Sequence, residues 1–129
     1  MSASQFRSEH PPGAIRLVDE TEHIVAVCLE GDLDRTHAAA LDASIDRALQ
    51  SGNDLILDMS EATFIDSSVI QSVVRAAQSA ERTRQAIVLQ LGTAAIVERV
   101  LEIVKIEEVL PRAHDRQEAL RVIQQQVRV

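Results

Sequence analysis

Aromatic residues are almost missing from this chain of 129 residues: there are two phenylalanines, Phe6 and Phe64, and neither tryptophan nor tyrosine. Without stacking platforms, and with 13 basic against 20 acidic residues, for a formal charge of −7, the surface would repel a phosphate backbone. Nucleic acid is therefore not an expected ligand. Cysteine occurs once, as Cys28, which excludes an intramolecular disulfide framework. The histidines, at positions 10, 23, 37 and 114, are too scattered to suggest metal-ligand spacing. The four glycines, at 13, 31, 52 and 92, cannot form a Walker loop or a dinucleotide fingerprint, both of which need closely spaced glycines before a helix. No cofactor is expected, and any ATP that matters to this protein is expected to be held by another. The longest apolar run, residues 24–29, is far shorter than the ~20 residues of a membrane-spanning helix. Met1 is not followed by a basic stretch and an apolar core, so a soluble, cytoplasmic protein without membrane insertion is expected.

The rest of the composition, 46% apolar and 26% charged, is that of one compact globular domain. Residues 1–13 are polar, contain Pro11-Pro12-Gly13 and have no apolar period, so they read as a flexible tail ahead of a single domain over 14–129. From there β-branched apolar runs alternate with amphipathic stretches, the pattern of an α/β domain with helical crossovers. Strands are expected over about 15–18, 23–30, 54–58 and 86–91, with a short fifth near 106–110. The first two are close enough for a hairpin and the others are separated by helix-length segments, so the sheet should be mixed. Helices are expected over 36–50, 67–83, 94–104 and 115–126. Their apolar stripes include Ala40, Leu41, Ile45, Ala48 and Leu49 in the first and Ile70, Val73, Val74 and Ala77 in the second. The third offers Ile96, Val97, Val100, Leu101 and Val104, and the fourth Ala119, Leu120 and Ile123.

Loops beyond the carboxyl ends of parallel strands are where ligands and partners tend to meet an open sheet. Two of them carry charge here, Gly31-Asp32-Leu33-Asp34 and the stretch from Ser60 to Ser68. In Phe64-Ile65-Asp66-Ser67-Ser68, just before an apolar helical stripe, either Asp66 or a serine suits a helix cap. The same position favours a phosphoryl group on serine, because the helix dipole and free N–H groups welcome negative charge. Asp32 and Asp34 join Asp66 in an acidic cluster if both loops lie at one sheet edge. Equally, Gly31 can supply an unusual backbone angle, with Asp34 or Thr36 opening the next helix. Cys28 reads as a small buried hydrophobe, and the acidic residues from Glu98 to Glu108 as a solvated face. His37 lies close to Asp34 in sequence, so a Ser67–His37 nucleophile and base can be imagined, though no spacing requires it.

These residues resemble the STAS domain, and within it the small bacterial anti-sigma factor antagonists, over about residues 14–126. Leu29-Glu30-Gly31-Asp32-Leu33-Asp34 is similar to the family's strand ending in Gly-Glu-Leu-Asp. Leu55-Ile56-Leu57-Asp58-Met59-Ser60 with Phe64-Ile65-Asp66-Ser67-Ser68 resembles its strand and phosphorylation loop, and Val97-Glu98-Arg99-Val100-Leu101 its third helix. The resemblance implies a STAS-like mixed sheet of four to five strands with about four helices, in the order ββαβαβαβα. It also implies a partner-switching protein and not an enzyme. Unphosphorylated family members bind an anti-sigma factor, a GHKL-type serine kinase, and so release the sigma factor. The kinase phosphorylates the serine after the aspartate, here Ser67, and a PPM-type phosphatase reverses this. Asp32, Asp34, Asp66, Ser67, Ser68 and Val69 are the expected partner-binding residues, with no catalytic or metal-binding residue among them.

Two positions depart from the family pattern. Its loop usually continues Gly-Leu-Gly where Val69-Ile70-Gln71 stands, placing a β-branched side chain beside the phosphoacceptor. A glycine common after the third helix is replaced by Lys105, so a different turn or a longer helix is expected there. The valine motivates an alternative, an adaptor or scaffold subunit that is not phosphorylated, in a sensory or transporter-associated complex. A small hydrolase using Ser67 is a third reading.

Overall fold

In the structure, a computed structural model that describes residues 12–127, five strands form one sheet in the order β1-β2-β3-β4-β5. They are β1 (Ala14–Asp19), β2 (Ile24–Leu33), β3 (Asp54–Ile65), β4 (Ile87–Gln90) and β5 (Arg112–Ala113). β1 is antiparallel to β2, and β2 through β5 run parallel. Helices α1 (Arg35–Gln50), α2 (Ser67–Thr83) and α3 (Ala95–Ile103) follow β2, β3 and β4, and α4 (Arg116–Val127) follows β5. The mixed α/β class and the element order expected from the sequence are both present. The expected tail lies outside the described residues as far as Pro11.

Strand alternation divides the core in two. Val25, Val27 and Leu29 of β2, Leu55 and Leu57 of β3, and Ile87 and Leu89 of β4 point to one face, where they meet the buried residues of α1, α2 and α3. Ile24, Ala26 and Cys28, Ile56 and Val88 point to the other, where Ala119 and Ile123 of α4 cover them. Connections between parallel neighbours are nearly always right-handed, and a sheet that adds each strand on the same side keeps all its crossovers on one face. Only a helix beyond the last strand is free to cover the other. The continuous apolar runs of β3 and β4 follow from this two-sided cover.

Four expectations are corrected. The charged stretch 31–33 and residues 60–65 of the stretch Ser60–Ser68 are not loops: β2 and β3 continue as a pair to Leu33↔Ile65, with register shifts between Cys28 and Glu30 and between Gly31 and Asp32. Gly31, with φ of 73°, sits at the second shift, where an irregular strand needs a left-handed residue. The fifth strand is Arg112–Ala113, and Ile106–Glu108 is a single turn of 3₁₀ helix. Within α3 only Val97 and Leu101 are buried, while Ile96 is 52% and Val104 42% exposed. Finally, α3 is not lengthened: it ends at Ile103, and Lys105 itself takes the left-handed conformation, φ 56°, that suits glycine.

Candidate functional site

Because Leu33 and Ile65 are in register as the last residues of two neighbouring parallel strands, the chain leaves the sheet twice at the same level. Each exit is an aspartate in extended conformation followed at once by a helix: Asp34 caps α1 and Asp66 caps α2. The two helices pack side by side on the same face of the sheet, so their N-termini open onto one surface. Asp34, Arg35, Thr36, Asp66, Ser67 and Ser68 line an open depression of about 300 Å³ there.

The caps are similar but not identical. Asp34 Oδ1 accepts from the Thr36 N–H at 2.9 Å and the Thr36 hydroxyl at 2.5 Å. His37 completes a capping box, its Nδ1 accepting the Asp34 N–H at 3.1 Å. The hydrogen bonds from Thr36 and the nearby His37 hold the Asp34 carboxyl below its usual value. Asp66 Oδ1 accepts from the Ser68 N–H at 2.9 Å, the Ser68 hydroxyl at 2.7 Å and, more weakly, the Val69 N–H at 3.4 Å. Both aspartates therefore supply the acceptors that helix starts require.

These bonds distinguish the two serines. The Ser68 hydroxyl is engaged with Asp66 and half-buried, whereas Ser67, the first residue of α2, is exposed and its hydroxyl forms no hydrogen bond among the described residues. Asp32 is one step removed: it pairs with Phe64 across the strands, and its carboxylate accepts from the Thr63 hydroxyl at 2.5 Å. It does not line the depression. Val69 is removed from the contact surface altogether, being 0% exposed and part of the core under α2. At the third position of the helix its side chain turns inward, so its bulk fills the core and leaves the Ser67 surface open. His37 is committed to the α1 cap and makes no bond to Ser67 among the described residues, so the imagined nucleophile and base are not assembled.

Arg35 and Thr36, both exposed at the start of α1, complete the depression; in the sequence Thr36 reads only as a helix opener, and Arg35 carries no signal of its own. Their signal is positional: a residue just after an expected cap that follows one strand faces its counterpart after the neighbouring strand.

A second polar cluster, on the opposite face, also escaped notice. Arg116, from the first turn of α4, donates from Nε to the Gln90 side chain at 2.7 Å and from its two Nη atoms to Glu20 and Asp58. The Cys28 thiol lies 3.8 Å from Asp58 Oδ2 and 3.7 Å from Arg116. Burial alone would raise the Asp58 carboxyl, but hydrogen bonds from Ser60 and Arg116 outweigh it and hold the group below its usual range. Burial, followed by the charge of Asp58, pushes the Cys28 thiol up, which keeps it protonated and unreactive. The available clue was Asp58 itself, a carboxylate closing the apolar run Leu55-Ile56-Leu57. No helix among the described residues is long and apolar enough to cross a membrane.

With this geometry in hand, comparison with known proteins gives a consistent picture. The family model described as STAS domain matches residues 16–119. A search of curated protein sequences finds no match. Among solved structures, an anti-sigma-factor antagonist (STAS) domain protein from Planctomyces limnophilus is similar, with 24% identity and a TM-score of 0.72 over 85% of this chain and 97% of that one. An anti-sigma factor antagonist from Mycobacterium paratuberculosis is similar at 18% identity and a TM-score of 0.73, over 88% and 95% of the respective chains. The Bacillus cell fate determinant SpoIIAA in its phosphorylated form aligns at 22% identity and a TM-score of 0.66, over 84% and 97%.

Proposed function

Because the chain belongs to the STAS domain family, we propose that it acts as an anti-sigma factor antagonist whose partner is an anti-sigma factor of the GHKL serine kinase type. The unmodified chain docks through the surface around Asp34, Asp66, Ser67 and Ser68, with Asp32 at its margin. Phosphorylation of Ser67 ends the binding, and a PPM-type phosphatase restores it. In this reading the chain is a ligand and substrate of enzymes and not an enzyme itself, working without a cofactor of its own in the cytoplasm.

The observation that carries the reading is the contrast between the two serines. Ser67 offers an exposed hydroxyl without a hydrogen-bond partner among the described residues, while that of Ser68 is held by Asp66. In the transfer, Ser67 Oγ attacks the γ-phosphorus of ATP held by the kinase. The new Oγ–P bond forms as the bond to the departing ADP oxygen breaks, and the hydroxyl proton leaves to a base of the kinase or to water. The product adds a charge of about −1.5 to −2. The helix N-terminus accommodates it without unfolding, yet it stands beside Asp34 and Asp66 and enlarges the docking surface. A partner fitted to the unmodified surface is met by new bulk and new negative charge. The adaptor reading was motivated by Val69, and the burial of that side chain removes the obstacle it was thought to present.

The test compares affinity for a cognate kinase across three folded proteins. Ser67→Ala should bind as the native chain does, and Ser67→Asp should bind at least tenfold more weakly. Equal affinity of the two variants would reject the switch. Incubation with kinase and ATP should add a single phosphate by intact mass, which Ser67→Ala abolishes; an unchanged mass for the native chain would favour the adaptor.

A further inference from the structure

Three cations that could neutralise a charge on this molecule are already engaged: Arg16 with Glu30, Arg75 with Asp42, and Arg116 with Glu20 and Asp58. Arg35 is not. It is exposed at the rim of the depression and forms no ion pair among the described residues. The strand register places it opposite the phosphoacceptor. Leu33 pairs with Ile65, so each strand end is followed by an aspartate cap and then by the first helical residue, Arg35 in one case and Ser67 in the other. Both residues line the same depression at the starts of two packed helices, whose axes typically lie about 8–10 Å apart, a gap that an extended arginine and a phosphoserine side chain span together.

We infer that Arg35 is the counter-ion of the modified state: a phosphate on Ser67 pairs with the Arg35 guanidinium of the same chain. The inference rests on the proposed reading only in that a phosphate arrives at Ser67. A planar guanidinium meets phosphate oxygens through two parallel N–H bonds, geometry that a lysine does not reproduce. The remaining ionisable groups at the two helix starts are Asp34, Asp66 and His37, and each is held by cap bonds. Arg35 is therefore the mobile charge of the site. Phosphorylation then acts twice, adding negative charge and withdrawing from the partner a cation that the unmodified chain presents.

The test needs no kinase. Phosphoserine is installed at position 67 of the full chain during translation, and the phosphate is titrated by phosphorus NMR in the native background, in Arg35→Gln and in Arg75→Gln. All three proteins share Asp34, Asp66 and His37, so the comparison isolates the arginine. The midpoint should rise by about 0.5 unit in Arg35→Gln, the size expected of an exposed ion pair, and should stay at the native value in Arg75→Gln. Arg35→Lys should fall between the two. A common midpoint for the native chain and Arg35→Gln, with matching circular dichroism, overturns the pairing. Because the phosphate is placed without an enzyme, that failure would leave the kinase reading standing, and absence of phosphorylation by a kinase would leave this result unaffected.

Discussion

Two arginines, on opposite faces of the same sheet, are used in opposite ways. Arg116 is 28% exposed, and its guanidinium is consumed by Asp58, 9% exposed, and Glu20, 21% exposed. Through Gln90 and Glu20 it also ties α4 to β4 and to the link between β1 and β2. Arg35 stands beside carboxylates too, but each of those turns one oxygen, Oδ1, to helix N–H groups and a hydroxyl and forms no ion pair with Arg35 among the described residues. Ionic groups that satisfy one another under a helix hold the fold together. Those whose neighbours are satisfied elsewhere stay available to something outside the chain. The difference lies in where each group leaves the sheet: Asp58 lies within a covered strand, whereas Asp34 and Asp66 lie one residue past strand ends.

The contrast can be broken most strongly at Arg116. Arg116→Met should lower stability by about 2–3 kcal/mol, because it strands a nearly buried Asp58, read as a lower urea midpoint with an unchanged slope. A loss under ~1 kcal/mol would make the cluster no better than a surface pair. Acid should expose the same dependence. The Asp58 carboxyl is held low in the folded chain, so its contribution is complete above its unfolded value of about 3.9. That contribution drains away as pH falls through the lower folded value. The stability curve of Asp58→Asn should lack this part of the acid slope, although the variant is less stable at neutral pH.

At the other face the effects should be smaller. Asp66→Ala and Asp34→Ala should each cost about 1 kcal/mol, the usual worth of an N-cap, measured by the same denaturation. Smallest of all, Ser67→Ala should change stability by no more than about 0.5 kcal/mol while abolishing the proposed phosphorylation. A large loss of stability there would mean that Ser67 serves the fold, as Arg116 does, and the contrast between the faces would fail.

How much of this could be read in the sequence depended on whether the deciding interaction was local. The span of α2 was legible because a cap signal, Asp66, stands just ahead of a stripe that includes Ile70, Val73 and Ala77, all buried. α3 and the residue that caps it, Val104, carry two overlapping stripes. One, through Val97 and Leu101, is buried; the other, through Ile96, Val100 and Val104, is exposed or half-buried. Periodicity sees both and cannot choose, because the choice is made by which side meets β3. The fifth strand is expected at 106–110, where Ile106, Val109 and Leu110 are apolar, but pairing with Leu89 and Gln90 selects Arg112–Ala113, two residues that carry no period. Asp66 and Ser67 at a helix start were legible from spacing, while Arg35 depended on strand register, a tertiary fact. Arg116 lies 58 positions from its partner Asp58, beyond the reach of any local pattern.

The described chain begins beside the site. Pro12 bridges to Asp32, and a Cβ on Gly13 would lie 2.3 Å from the Asp32 carbonyl oxygen and 2.7 Å from His37 Nε2. Only the missing side chain lets the backbone thread between the end of β2 and the first turn of α1. Anything fused or tethered just upstream of Pro12 therefore emerges close to the docking surface, whereas a fusion after α4 starts from an element on the other side of the sheet. For anyone measuring partner binding, the choice of terminus for a tag is itself a perturbation with a direction, and the carboxyl end is the quieter one.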